Sequence, residues 1–351
     1  MRYLLIMMLG WLPMLAGAVE FDETTQSLPL GRVMQVFEDV GGQATLSDVI
    51  ANPGLFKLHT KDTLNAGYSR SAFWLKIDLQ YLPKDPTAHR TWLMELAYPP
   101  LDNIDLYLAD AAGNYYLAER TGDALPFDSR QIKENNYLFE LHFSPGQNQT
   151  VYLRLASEGS IQAPLTLWSA QAYLEEQPQR IYVLGLIYGV LLGMLVYNLF
   201  IYISVRDTSY LYYIVYMASF GLYQLAVNGA AVQYFWPNNP WWANASVPFL
   251  IGSAALFGCQ FARSFLQIGS QSRWLDRALI LLMGVGALVM LLSLITSYAV
   301  ALRLATALAL AFIVVIFVAG VVAWARGLRV ARYFVIAWSA FLLGGLVNTL
   351  M

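Results

Sequence analysis

The sequence predicts a membrane protein of mixed β and α class: an antiparallel β-sandwich on the amino-terminal side, then a transmembrane α-helical bundle. Three observations predict it. Short stretches between residues 73 and 155 alternate apolar and polar side chains, the pattern of half-buried strands. From Ile181 onward the chain is instead a succession of apolar runs long enough to cross a ~30 Å hydrocarbon layer. Charge divides at the same place: residues 19–180 hold 12 Lys+Arg against 21 Asp+Glu, whereas residues 181–351 hold eight Arg, no Lys and two Asp.

The amino terminus carries Arg2, an apolar core from Tyr3 to Leu15 and the small residues Ala16, Gly17 and Ala18. That is the order of a secretory signal peptide cut after Ala18, with a short uncleaved anchor helix as the alternative. In either case the following segment, 19–179, is exported. Alternation runs through Phe73–Gln80, Asn103–Leu108, Tyr137–Phe143 and Val151–Leu155, and Pro-, Gly- and Asn-containing turns separate these stretches. Several short strands at such spacing, with no long stretch of helical period, predict two antiparallel sheets packed face to face. The segment is long enough to bury a core of its own.

The stretch Glu175–Arg180, which contains Pro178, is expected to be a short stiff tether into the membrane part, residues 180–351. Ile181–Val205 has no charge and predicts a spanning helix; Arg206–Asp207 breaks it and Tyr210–Val227 returns. Further spans are expected over 245–262, 278–295, 304–325 and 333–351, six in all. With residue 180 outside, the inside loops carry seven Arg and the outside ends two, which obeys the positive-inside bias. Six spans would leave the carboxyl terminus outside, so a seventh helix and an output module are expected beyond Met351, with a natural six-span protein as the alternative. Asn198, Gln224, Asn228 and Gln260 are candidates for hydrogen bonds between helices, and Asn198 and Asn228 are expected to share a cavity. Cys259, the one cysteine, lies in an apolar run and excludes an intramolecular disulfide.

The run Asn65–Lys76 (NAGYSRSAFWLK), Leu106–Leu108 with its Gly-containing turn, Thr121–Asp123 and Phe127–Arg130 resemble the second extracellular domain type of the bacterial seven-transmembrane receptors with diverse intracellular signalling modules. Gly229–Pro237 (GAAVQYFWP), with Tyr188–Gly189 and Tyr197–Asn198, is similar to the membrane domain of the same class. The resemblance implies a jelly-roll, carbohydrate-binding-like sensor in the periplasm, a seven-helix domain in the inner membrane, and a cytoplasmic histidine kinase or diguanylate cyclase, hence two-component or cyclic di-GMP signalling.

Candidate ligand-binding residues follow from chemistry. Tyr68, Trp74 and Tyr107 offer ring faces of the kind that stack on sugars, beside the hydrogen-bonding groups of Arg70 and Arg130. Asp102, Asp105 and Asp123, with Asp110 and Asp128, offer hard oxygen ligands suited to calcium, although no spacing matches a calcium loop. Core burial of the rings and a solvated acidic face are the plainer readings of both sets. His59, His89 and His142 are scattered and unaccompanied by cysteine, so no metal is assigned, and no GxSxG, P-loop or GxGxxG points to an enzyme. The acidic exported half argues against nucleic acid. The expected partners are a small-molecule or cation ligand in the periplasm, the lipid bilayer and a second copy of the chain. A transporter or channel subunit is the alternative, but no acid lies within a span to relay ions. An envelope-polysaccharide binding protein without output is a further alternative.

Overall fold

The computed structural model describes residues 18–85 and 91–350. The expected leader, up to residue 17, and His89 lie outside the described residues.

Strands come first. They are β1 (Val19–Phe21), β2 (Ser27–Pro29), β3 (Gln35–Asp39), β4 (Lys57–Leu58), β5 (Leu64–Tyr68), β6 (Ala72–Tyr81), β7 (Trp92–Leu96), β8 (Asn103–Ala109), β9 (Tyr115–Thr121), β10 (Tyr137–Leu141), β11 (Asn148–Ala156), β12 (Ser160–Ala163) and β13 (Leu165–Ser169). One short helix, α1 (Leu46–Ala51), interrupts them, followed by a 3-10 turn at Pro53–Leu55. A capping box starts α1: the Thr45 hydroxyl accepts from the Asp48 N–H while the Asp48 carboxylate accepts from the Thr45 N–H.

Two sheets face each other. The larger has the order β4-β3-β6-β11-β8-β9, with β1 also paired to β6; the smaller has the order β10-β7-β13-β2; β12 and β5 form a separate ribbon. Pairing is antiparallel throughout except β1 with β6, which is parallel. Alternation explains the core. Leu75, Ile77 and Leu79 of β6 pair with Leu153, Val151 and Gln149 of β11, and the first five of these face Met94, Leu96, Phe139 and Leu167 of the smaller sheet. All of those apolar side chains are fully or almost fully buried. β7 is buried on both faces, because Leu93 packs on its far side with Leu138 and Tyr173. Glu95 on that same strand is only 2% exposed and accepts hydrogen bonds from Trp168 Nε1 at 2.9 Å and Asn136 Nδ2 at 2.7 Å.

The helices follow as α2 (Ala170–Val205), α3 (Thr208–Val227), α4 (Ala230–Tyr234), α5 (Pro240–Phe265), α6 (Ile268–Gln271), α7 (Arg273–Ile295), α8 (Tyr298–Ala325) and α9 (Ala331–Leu350). Residues 175–180 differ from the expected tether: they lie within the continuous helix α2, through Pro178. The strong helix formers Ala170, Gln171, Leu174, Glu175 and Glu176 carry the helix into the apolar run. At Arg206 the backbone turns with φ 60°, and Asp207 caps α3 by accepting from Ser209 N at 2.8 Å.

Each expected span has a helix of at least 20 residues at its position, and among the described residues four, α2, α5, α7 and α8, are long and apolar enough to cross a membrane. α3 falls outside that group because five tyrosines, with Ser219 and Gln224, dilute its apolar character.

α5 lies at the centre of the helical packing. Gly252 and Gly286 let α5 and α7 approach so closely that a methyl group on Gly252 would come within 2.8 Å of the Gly286 carbonyl. Ser219 and Ser253 hydroxyls join α3 to α5 at 2.8 Å, and Arg263 of α5 pairs with Asp276 of α7. Cys259 is fully buried in α5. Asn198 donates to the Met194 carbonyl of its own helix at 2.8 Å, whereas Asn228 donates to the Tyr188 hydroxyl of α2 at 2.8 Å. The two asparagines expected to share a cavity are therefore engaged separately.

The chain forms two compact units. The first holds the residues up to Thr121, with Arg130–Ile132 and Asn136–Glu175; the second holds Gly122–Ser129, Lys133–Asn135 and Glu176 onward. Within the second, Phe127 packs with Val232, Ala243 and Trp236, and its N–H donates to the Pro237 carbonyl at 2.8 Å. Asn135 Nδ2 donates to the Asn228 carbonyl at 3.0 Å.

Candidate functional site

Period-two alternation that sends Leu75, Leu153 and Leu106 into the core sends their neighbours to the opposite face of the larger sheet. Register then aligns those neighbours in rows. Phe37 of β3 stands opposite Trp74 of β6, which stands opposite Arg154 of β11, then Asp105 of β8 and Arg120 of β9. In the next row Lys76, Tyr152 and Tyr107 are opposite one another.

One part of this face is aromatic and covered. Trp74 and Tyr107 stack with ring centroids 5.6 Å apart and planes 24° apart, and Tyr115 meets Tyr152 edge-on at 5.2 Å. Val49 of α1 and Phe56 after the 3-10 turn pack onto Trp74 and Tyr152. Trp74 is fully buried and its Nε1 has no acceptor among the described residues, while Tyr107 remains half-buried. Burial pushes the Tyr152 hydroxyl up to about 12, helped by neighbouring Tyr115 and Asp78. Burial, then the Asp105 carboxylate, raises that of Tyr107.

The other part is charged and more open. Arg120 Nε donates to Asp105 Oδ1 at 2.6 Å, and Arg154 Nη1 lies 3.9 Å from Asp105 Oδ2. The Asp105 side chain is 9% exposed, that of Arg154 22% and that of Arg120 59%, so the row grades from a buried carboxylate to an open guanidinium. Arg154 Nη2 also donates to the Gly42 carbonyl at 3.0 Å, which ties it to the loop ahead of α1. The hydrogen bond to Asp105 raises the Arg120 pKa further above its ordinary value, so the guanidinium is permanently charged. A half-buried phenol ring beside two fixed guanidinium groups and one carboxylate can stack on one face of a small polar molecule and hydrogen-bond its edge.

The structure thus brings Trp74, Asp105 and Tyr107 together and leaves the other named residues apart. Tyr68 is exposed on the β5–β12 ribbon and Arg70 is exposed just after it. Asp102, before β8, is buried and accepts from the Glu158 N–H. Arg130 is buried with its guanidinium 4.2 Å from the centre of the Tyr137 ring. Asp123 is buried within the second unit.

The acidic set is not gathered. Asp110 caps its own turn by accepting from Ala112 N and Asn114 N, Asp128 pairs with Lys133 at 3.2 Å, and Asp105 is held by arginines. Among the described residues no group of three or more His, Cys, Asp or Glu side chains could hold a metal ion. Arg154 was not among the residues singled out from sequence. Its polar place within Val151–Leu155 fixes its face, but only the β11 register sets it beside Asp105.

Two family models match the chain: that described as 7TMR-DISM extracellular 2 over residues 31–169, and that described as 7TM diverse intracellular signalling over residues 180–351. No curated protein matches it. The strand-built first match contains the aromatic and charged face, and the second contains the helices α3 to α9 with most of α2. The chain belongs to the 7TMR-DISM class, transmembrane receptors that join an extracellular sensor domain to a seven-helix-type membrane domain in signalling.

Proposed function

We propose that residues 19–179 form a periplasmic sensor whose Tyr107–Asp105–Arg120–Arg154 face binds a small polar, sugar-like ligand. Residues 180–351 carry the bound state across the inner membrane to a cytoplasmic kinase or diguanylate cyclase. The observation that carries the ligand half is the row itself: a half-buried ring next to three fixed charges, on the sheet face opposite the core. A neutral or anionic sugar ring meets both requirements, with its apolar face on Tyr107 and its hydroxyls or carboxylate on Arg120 and Arg154. Calcium finds less support, because arginines already engage Asp105.

The output half rests on the family's intracellular signalling role and on linkage: a ligand shifts the helices only by its preference for one arrangement over another. Titration of the full chain in lipid nanodiscs with neutral sugars, sugar acids and calcium tests the reading. Wild type is expected to bind a sugar or sugar acid, and Tyr107→Ala and Arg154→Gln each to weaken that binding at least tenfold. A ligand whose affinity is the same in both variants refutes the site.

A further inference from the structure

The helical unit contains a cavity unrelated to the sheet face. A half-open cavity of about 330 Å³, at the lower end of the range for small-ligand sites, lies among α3, α5, α8 and α9. Tyr213, Tyr216, Phe261, Phe312, Phe334 and Trp338 supply its walls, and these rings contact one another: Tyr213 with Phe261 at 5.0 Å, Phe312 with Trp338 at 5.9 Å, Phe334 with Trp338 at 6.1 Å. Its floor is Gly258, where an added methyl group would come within 2.7 Å of the Phe312 ring.

Position along the helices gives the direction of the cavity. It reaches Phe265, the last residue of α5, and Phe334, in the first turn of α9, and extends inward as far as Phe312, midway along α8. At a rise of about 1.5 Å per residue this is a slot more than 10 Å deep, starting at one membrane edge. That edge is the arginine-bearing one. Arg326 and Arg329 lie on the α8–α9 turn and are exposed, whereas Arg332, in the first turn of α9, donates from Nη2 to the Tyr333 hydroxyl at 2.6 Å. The two carboxylates of residues 181–351 are committed elsewhere, Asp276 to Arg263 and Asp207 to the cap of α3.

We infer that the cavity binds an anionic phospholipid of the surrounding bilayer, with one acyl chain in the aromatic slot and the phosphate at Arg326 and Arg329. Depth selects the occupant. An apolar slot inside the hydrocarbon layer takes a chain, and a cluster of arginines without acids at its mouth prefers a negative headgroup. A water-soluble aromatic ligand would leave the arginines without a role.

The intact chain, purified in detergent, is titrated with phosphatidylglycerol or phosphatidylcholine whose acyl chains carry bromine, which quenches nearby tryptophan. The Trp338 contribution is isolated by comparison with Trp338→Phe. The expected result is Trp338 quenching by phosphatidylglycerol at a concentration at least tenfold lower than by phosphatidylcholine. Arg326→Gln with Arg329→Gln, both at exposed positions, removes that preference. Gly258→Leu, which fills the floor, abolishes the Trp338 signal for both lipids. Equal quenching by the two lipids in wild type overturns the headgroup assignment. Undiminished quenching in a folded Gly258→Leu variant overturns the cavity. Should Gly258→Leu fail to fold, Ala337→Leu decides in its place, by narrowing the slot without adding a tryptophan and with the same expected loss.

Discussion

Trp74→Ala separates a ring that holds the sandwich together from a ring that serves a ligand. Trp74 is fully buried, stacked on Tyr107 and covered by Val49 and Phe56. Truncating such a side chain costs about 3–5 kcal/mol in transfer and cavity terms, into which the stacked pair contributes ~0.5–1.5 kcal/mol. For a unit of this size each kcal/mol lowers the midpoint by about 2–4 °C, so a fall of roughly 6–20 °C is expected in the sandwich transition. Trp74→Phe loses far less, because the Nε1 it removes has no acceptor among the described residues. Calorimetry of the full chain in nanodiscs, with hydrogen exchange of the β6 and β11 peptides to assign the transition, measures both. A Trp74→Ala midpoint within about 2 °C of wild type, the shift of less than 1 kcal/mol, would refute the reading of Trp74 as core, and with it the view that Tyr107 is the ring left for a ligand.

Further outcomes follow from other elements. Gly286→Ala should lower the thermal stability of the helical unit, because its methyl group meets the Gly252 carbonyl at 2.9 Å, whereas Gly284→Ala on the same helix meets nothing within 4 Å and should be neutral or slightly stabilising. Cys259, fully buried, should resist maleimide in the folded protein and react only on denaturation. Asp48, whose carboxyl the Thr45 hydroxyl and N–H hold below the ordinary 3.8, supplies stability to α1 that is present above that value and lost as pH falls through its lower folded value. Acid titration followed by hydrogen exchange of α1 should therefore show loosening only below about pH 4, and Asp48→Ala should show it already at neutral pH.

Both halves of the architecture were legible for the same reason: each follows from a local pattern. The alternation at Phe73–Gln80 and Val151–Leu155 foretells β6 and β11, and charge-free runs foretell the long helices, because burial on one face or in lipid leaves its period in the sequence. Long-range pairing leaves no such trace. Nothing near Arg154 says that Asp105 will be its cross-strand neighbour, so the charged row had to wait for the register. Chemistry alone gathered Tyr68, Arg70 and Arg130 with Tyr107, yet ribbon, loop and core separate them. Pro178 is expected to stiffen a tether between the two modules, but the helix formers before it and the apolar run after it outweigh one lost hydrogen bond, and the helix runs through it.

Phe127 has a consequence for engineering the receptor. Sequence order sets it between β9 and β10, yet it belongs to the second unit, its apolar side chain seated on Val232, Trp236 and Ala243. A chimaera that grafts this sandwich onto foreign helices would carry the plug away from its socket, and one that grafts the helices onto a foreign sandwich would leave the socket empty. Modules here can be exchanged only if residues 122–129 and 133–135 stay with the α3–α5 connection.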